Sequence, residues 1–509
     1  MTADIWDVVV VGAGLSGLSA AHLLLKKNPK LRILILEGKD RVGGRTVSFE
    51  IPAADGADRW DFGGQWVAHK RTGLRVRAYK TSIPALSPLV LLDMSQLLWK
   101  VRQLRRSVCV QDPSKTPNAE ELDSMTLHTY IEQNAWTAEL KEQIGVSSRS
   151  VFGIEPAQMS FLFFLTYAAA AGGLLALLES TPGCAQELKV KGGTQQLSEC
   201  LAERVGWKNV RLGSAVTAIW QDAEWAKVMT SSDTFLCKAV IVTCPPHLAA
   251  KIHYQPALPS MRESLTQNMP VGHLMKFIIT YQTAFWKEKG FSGEIVAGSS
   301  TDCPFCVTFD ATSPRGNAAL VGFIAGQQAS HWSTKEVEQR KDAVISSLVR
   351  YLGPEAASFI HYEEKDWAKE EYSGGCPVNV MAPGLLTYYH PSLRTPCGRI
   401  FWAGTETATQ WCGYMSGAVQ AGQRAALEVL TELWQVDLTA EEMEALQHSH
   451  SVKSSTNQVP TSKLSFLLSG KSAVIAALTI SAVLLLTQRQ SAFTKISNSL
   501  TNILSQSKM

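Results

Sequence analysis

Gly12, Gly14 and Gly17, followed by an acid at Glu37, are the residues of this chain whose types and spacing point most directly to chemistry. They stand in the run Gly12-Ala13-Gly14-Leu15-Ser16-Gly17, and together they can hold a dinucleotide. Gly12 permits a tight turn, Gly14 lets the backbone approach a pyrophosphate, and Gly17 lets helix and strand pack closely. The pyrophosphate rests on a helix N-terminus, where unpaired N–H groups and the dipole favour negative charge. Glu37, about twenty residues on, can accept hydrogen bonds from the adenosine ribose hydroxyls. Two further glycine-rich turns follow, Arg41-Val42-Gly43-Gly44-Arg45-Thr46 and Asp61-Phe62-Gly63-Gly64-Gln65-Trp66. A nicotinamide comes and goes and needs little beyond the first unit. A second glycine-rich turn with arginines of its own, Arg41 and Arg45, suits a long buried cofactor whose phosphates need more counter-charge. FAD is the better reading.

The elements that must position these residues are legible around them. Asp7-Val8-Val9-Val10-Val11 reads as an apolar strand. A helical pattern carries Leu15, Leu18, Ala21 and Leu24-Leu25 on one face, and Arg32-Ile33-Leu34-Ile35-Leu36 is a second strand ending at Glu37. Strand-like segments return at Val210–Leu212, Val216–Ile219, Ala239–Thr243 and Lys276–Tyr281. Arg399–Gly404 reads as a strand feeding a glycine-rich turn and a helix from about Met415 to Leu433. Leu122 to Leu140 carries a helical pattern, and the apolar stretch Phe161 to Leu178, with Gly172-Gly173 and Tyr167, reads as a buried helix and cavity wall. The fold class that follows is α/β: a Rossmann-like FAD-binding domain interleaved with an α+β substrate domain. The boundaries are 1–70, 190–265 and 370–433 for the first and 71–189 and 266–369 for the second.

Composition fits a large enzyme. The chain has 509 residues, 45% of them hydrophobic, enough for sizeable cores. Its net charge of +3 is spread out, so nothing argues for nucleic acid. Ten scattered cysteines follow no disulfide framework, and no secretory signal is read before the first strand. The body is therefore expected to face the cytosol with reduced thiols. Cys303-Pro-Phe-Cys306 has no second pair or histidine cluster, so no metal site is expected.

The tail changes the address. Residues 434–465 read as a polar linker. Residues 466–489 contain the uncharged run Ser472 to Thr487 between Lys471 and Arg489, and read as a single C-terminal membrane anchor, ahead of a short tail at 490–509. Its moderate hydrophobicity and basic flanks suit the mitochondrial outer membrane, with the endoplasmic reticulum as alternative. A homodimer is compatible with the sequence but not demanded by it.

Lys191-Gly192-Gly193-Thr194, Tyr372-Ser373-Gly374-Gly375-Cys376 and Ala403-Gly404-Thr405-Glu406-Thr407 through Gly413-Tyr414-Met415-Ser416-Gly417-Ala418 join the N-terminal block in one pattern. From the first strand to about residue 433 the chain resembles the flavin-containing monoamine oxidases. The resemblance implies a thioether from Cys376 to the flavin 8α-methyl, and a water held near flavin N5 by Lys276. It also implies Glu406 on the ribityl or pyrophosphate side, Val216 meeting the adenine through its backbone, and Trp367 beside the isoalloxazine. Gly404, Thr405 and Met415 belong to the cofactor motif. Tyr414 matches one of two facing tyrosines that channel the amine; Pro377 stands where the other belongs. Gln186 lies where the family has a cavity glutamine, and the region after Trp66 is shorter than the family's.

The activity implied is oxidative deamination of a small-molecule amine, with molecular oxygen reoxidising the flavin to give hydrogen peroxide. Two alternatives remain at this stage. One is a related oxidase of polyamines or amino acids, the first of which would want a cavity carboxylate. The other is a membrane-tethered flavoprotein with little turnover.

Overall fold

A computed structural model of the chain describes residues 5–67, 87–178, 185, 188–297 and 302–447. It divides into two units, Met1–Arg77 with Leu98–Val452 and Ala78–Leu97 with Lys453–Met509. The sheets and cavity below belong to the first unit; of the second, the described part is the opening of the helix Pro88–Arg106.

An eight-stranded sheet takes its strands from widely separated parts of the chain. Ile5–Val11 lies at its centre, paired in parallel with Ile33–Leu36 on one side and Thr234–Val242 on the other. Ile400–Trp402 adds in parallel to Thr234–Val242, while Ala226–Thr230 and Val216–Gln221 extend the sheet antiparallel. The valine run explains the central place of the first strand. Val8 and Val10 point into one apolar cluster with Leu18, Leu24, Ala425 and Val429; Val9 and Val11 point into another with Val240, Ile219 and Trp402. A strand apolar on both faces is stable only when both are covered. The helices Leu15–Lys27 and Met415–Trp434 cover one face. They approach closely because Gly422 has no side chain: a Cβ there would lie 2.1 Å from the Ser16 carbonyl oxygen.

A five-stranded antiparallel sheet runs Ile295–Val296, Val307–Asp310, Ala318–Ala325, Leu274–Tyr281, Phe359–Asp366. Alternation along Leu274–Tyr281 splits its side chains. Met275, Phe277, Ile279 and Tyr281 pack with Trp286, Val344 and Leu348, whereas Leu274 and Ile278 face Val47, Phe62, Val307 and Trp367. Lys276 shares the second face.

Two expectations change. The pattern from Leu122 to Leu140 is not one helix but parts of three, Ala119–Ser124, Leu127–Asn134 and Ala138–Phe152. Thr126 and Thr137 restart the chain as N-caps, accepting from the Thr129 and Leu140 N–H groups. Phe161 to Leu178 forms two helices, Phe161–Ala170 and Leu174–Leu178, parted at Gly172 and Gly173, both of positive φ. Cys303 and Cys306 pack into different apolar clusters. The anchor at 466–489 lies outside the described residues; among the described residues no helix is long and apolar enough to cross a membrane.

Candidate active site

One cavity of about 480 Å³ runs between the two sheets' neighbourhoods and is lined from both. Its dinucleotide end is built on the first helix. Gly14 caps that helix with no side-chain partner, leaving its first N–H groups for a ligand. A Cβ at Gly14 would meet only the Gly43 carbonyl oxygen at 3.9 Å, and one at Gly44 only Gly14 Cα at 3.6 Å. These two glycines form an open floor that side chains would fill. Gly17 differs: its Cβ would lie 2.0 Å from the Gly12 carbonyl oxygen, so it serves packing and does not line the cavity. Gly12 has φ of +103°, and a Cβ there would lie 2.7 Å from Thr243 Oγ1. Glu37 is buried, its Oε2 accepting from the Ala13 N–H at 2.6 Å and its Oε1 from the Lys39 N–H at 3.1 Å. A carboxylate has about four acceptor sites, so capacity remains for ribose hydroxyls. Val216 lines the same end.

Asp61 ties the Asp61–Trp66 turn to the Lys191–Thr194 turn and to Ser48, just past the Arg41–Thr46 turn. Its Oδ1 accepts from the Thr194 N–H at 2.7 Å and the Ser48 hydroxyl at 2.6 Å, docking the Lys191–Thr194 turn beside Gly64. Arg45 lines the cavity and forms a two-pronged pair with Glu406, at 2.6 and 3.0 Å, while also donating to the Pro377 carbonyl at 2.8 Å. Burial would raise the Glu406 carboxyl, but the Arg45 charge and hydrogen bonds outweigh it and hold the group below its ordinary value. Glu406 itself does not line the main cavity; its carboxylate holds the Arg45 guanidinium that does. Arg41 does not line it either. Its guanidinium donates to the Gly44, Thr46 and Val42 carbonyls and to Glu370, so it braces the turn that carries Arg45. Distance along the sequence does not reveal which of two neighbouring arginines faces the ligand.

The other end gathers Lys276, Gln65, Gly64, Trp367, Cys376, Tyr414 and Met415 around the cavity, while Gly404 and Thr405 line it beside the first helix, the Gly404 N–H donating to Ser16 Oγ at 2.9 Å. Lys276 is 1% exposed in mid-strand, not a surface lysine. Its Nζ donates to Gln65 Oε1 at 2.7 Å and the Gly63 carbonyl at 3.2 Å. Burial pushes its ammonium down to about 7. The Trp367 indole N–H donates to the Phe62 carbonyl at 2.9 Å, locking the ring into the wall. Cys376 is buried, and burial pushes its thiol up to about 12. Gly375 before it has φ of +144°, and a Cβ there would lie 2.6 Å from the Gly272 carbonyl oxygen.

Tyr414 also lines this end, and Pro377 lies on the same wall. Opposite Tyr414 the structure places Tyr167, ring centroids 6.1 Å apart and tilted by 44°, with the two phenols in hydrogen-bonding reach. Gly413 makes room for it: a Cβ there would lie 2.3 Å from the Tyr167 hydroxyl. Gln186 lies outside the described residues. Residues missed by the sequence reading are Phe323, Val307, Val296 and Glu294, which line the cavity from the antiparallel sheet. Alternation on short strands was their only signal.

A helix start with no side-chain cap, two open glycines, a buried cavity-lining acid and an inward arginine fit a dinucleotide; the Trp367–Lys276–Cys376 end fits its flavin ring. Fold and site define a flavin-dependent oxidoreductase. The sequence profile of the family described as flavin containing amine oxidoreductase matches residues 15–430, and the chain belongs to that family. It is 36% identical over 485 residues to the flavin-containing amine oxidase of Oncorhynchus mykiss, covering 88% of this chain and 91% of that one. It is 35% identical over 460 residues to a probable flavin-containing monoamine oxidase A of Dictyostelium discoideum, covering 84% and 98%. Among solved structures, cyclohexylamine oxidase from Brevibacterium oxydans IH-35A superposes with a TM-score of 0.76 at 29% identity, covering 84% of this chain and all (100%) of that one. Putrescine oxidase bound to putrescine gives the same score, 0.76, at 29% identity and the same coverage, 84% and 100%. The chain is an enzyme that oxidises amines with FAD.

Proposed function

We propose that the chain deaminates primary amines, with secondary amines as an extension, in a monoamine oxidase reaction. Amine, oxygen and water give aldehyde, ammonia and hydrogen peroxide. The observation that carries this reading is the meeting of Lys276, Trp367, Cys376 and Tyr414, from four separate segments, on one cavity. FAD bound there supplies the two-electron oxidation of the amine carbon–nitrogen bond and passes the electrons to oxygen.

The chain's own residues do the rest. The apolar wall of Leu274, Phe309, Phe323 and Val307 disfavours the ammonium form and so keeps the reacting amine neutral. Tyr414, with Tyr167 in place of a second facing tyrosine, orients it. Lys276, balanced near neutrality and held by Gln65, exchanges a proton with a water at Nζ. Arg45, aimed by Glu406, neutralises cofactor phosphate. Gly12, Gly14, Glu37, Gly44, Gly64, Val216, Gly404, Thr405 and Met415 complete the cofactor wall, and Gln186 is retained as a substrate contact. In this reading the pieces 1–70, 190–265 and 370–433 hold FAD, and 71–189 with 266–369 shape the substrate space.

Cys376 carries the flavin covalently. Acid denaturation of the holoenzyme tests this: flavin should stay on the peptide containing Cys376 and be released in Cys376→Ala. Complete release from the wild type would remove the thioether and weaken the monoamine oxidase assignment. Residues 466–489 tether the enzyme to the mitochondrial outer membrane, body toward the cytosol, supported by the uncharged run and its basic flanks. Alkaline carbonate should leave the full chain in the membrane pellet; extraction into the supernatant would sink the anchor.

A further inference from the structure

A second, smaller cavity of about 30 Å³ adjoins the first. Phe163, Met269, Met381, Leu386, Leu393 and Ala408 supply its apolar lining, and all six are buried. Tyr167 lines both cavities. The strip Cys412-Gly413-Tyr414 divides between them: Cys412 lines the small one, Gly413 and Tyr414 the large. The Tyr167 hydroxyl rests against Gly413, where a Cβ would stand 2.3 Å from it, so one ring and one piece of backbone form the partition. Val110, Thr166 and Ala170 on the small cavity are half-buried, whereas Tyr167 is 3% exposed. The space therefore grades from a half-buried rim to a buried partition with the flavin end.

The polar groups on this lining are engaged with the protein. Glu406 holds Arg45 with both oxygens, and the Thr166 hydroxyl donates to the Leu162 carbonyl at 2.8 Å. The Asn379 amide donates to the Met269 carbonyl at 2.6 Å. Arg394 donates to the Gln111 carbonyl and to His390 Nε2, both at 2.8 Å. Burial, with the Arg394 charge beside it, holds the His390 imidazolium well below its ordinary value, so the ring is neutral. A bound water needs roughly two to four polar partners, which this lining has spent elsewhere. An apolar gas needs none. One water-sized sphere takes about 10–15 Å³, so the cavity has room for a diatomic molecule and little more.

Resting on the oxidase reading above, we propose that the small cavity is a dioxygen site beside the flavin end, with the Tyr167 ring as the partition the gas passes. Each oxygen molecule takes up two electrons and two protons and leaves as hydrogen peroxide. A gas site outside the amine cavity fills while the product of the amine still occupies that cavity.

The first test reads binding without turnover. Crystals of the flavin-loaded full chain under xenon pressure should hold xenon in the small cavity, because dry apolar cavities take up that gas. Ala170→Leu, which fills the space, should exclude it. The second test separates the half-reactions by stopped flow. In Ala170→Leu, oxygen should reoxidise the reduced flavin about fivefold more slowly, while anaerobic reduction by n-hexylamine keeps its wild-type rate. Val110→Met intrudes on the same space from another segment and should behave alike, so the test does not hang on one variant folding. Xenon absent from the wild-type cavity, or wild-type reoxidation in both filled variants, overturns the oxygen site and leaves the amine-oxidase reading intact. Equal slowing of both half-reactions makes the cavity a packing feature and overturns the site as well. A wild type whose amine-reduced flavin is not reoxidised by oxygen overturns the oxidase reading and the oxygen site with it.

Discussion

The two walls of the cavity are built by opposite strategies. The dinucleotide wall is local: Gly12, Gly14, Glu37, Gly44 and Arg45 lie within one short stretch, and a parallel sheet holds them against a helix N-terminus. The substrate wall is assembled from afar. Lys276, Phe323, Val307 and Val296 come from four strands and meet only through antiparallel register. Backbone conformation does the work on the first wall, so glycines dominate it. Side-chain identity does it on the second, where single substitutions should alter turnover more than folding.

The largest effects should separate packing from ligand contact within the first wall. Gly17→Ala puts a Cβ 2.0 Å from a backbone oxygen and should yield no soluble flavoprotein. Gly14→Ala meets nothing nearer than 3.9 Å, so it should fold, with its secondary structure by circular dichroism intact, and lose flavin occupancy. Equal folding defects in both would erase the distinction between the two glycines.

On the second wall, Lys276→Met should keep its flavin and lose roughly a hundredfold in kcat/KM, the lower range of a positioned proton-transfer group. It also has a pH signature. Between about 7, the folded value, and 10.5, the ordinary one, the unfolded wild type binds a proton that the folded wild type does not. Wild-type stability relative to Lys276→Met therefore rises with pH across that window. Melting temperatures measured from neutrality upward should show the variant's advantage shrinking; a constant gap would mean the lysine is not held neutral by burial.

The smallest effect belongs to Tyr167→Phe. It removes a hydroxyl within reach of Tyr414 while keeping the ring packed on Phe152 at 4.7 Å. A net hydrogen bond of about 1 kcal/mol corresponds to about a fivefold loss in kcat/KM. A loss as large as that at Lys276 would give Tyr167 more than a positioning role.

What was legible followed the same division. Gly12-x-Gly14-x-x-Gly17 with Glu37 announced its own fold because its chemistry depends on neighbours in sequence; Gly12, Gly14 and Glu37 line the cavity, and Gly17 packs against Gly12. Arg41 and Arg45 looked equivalent, yet one braces carbonyls and the other faces the cavity, because turn geometry aims adjacent side chains apart. Glu406, expected on the ribityl or pyrophosphate side, is paired with Arg45.

Lys276, Cys376 and Tyr414, singled out by the resemblance, line one cavity, but Pro377 left the facing wall open. Tyr167 fills the approach to Tyr414 from a helix about 250 residues away in the chain, a pairing no local pattern encodes. Glu294 had only the alternation of a two-residue strand for a signal, and an acid there reads as surface.

The amino-acid sequence alone determined the cofactor class, the central strand and the candidate reactive groups, because glycine spacing and apolar runs act through nearest neighbours. Only the tertiary structure decided which arginine turns inward, which tyrosine faces Tyr414, and which residues of the antiparallel sheet line the cavity beside Lys276. Those depend on strand register and helix docking, which are set by burial summed over the whole core.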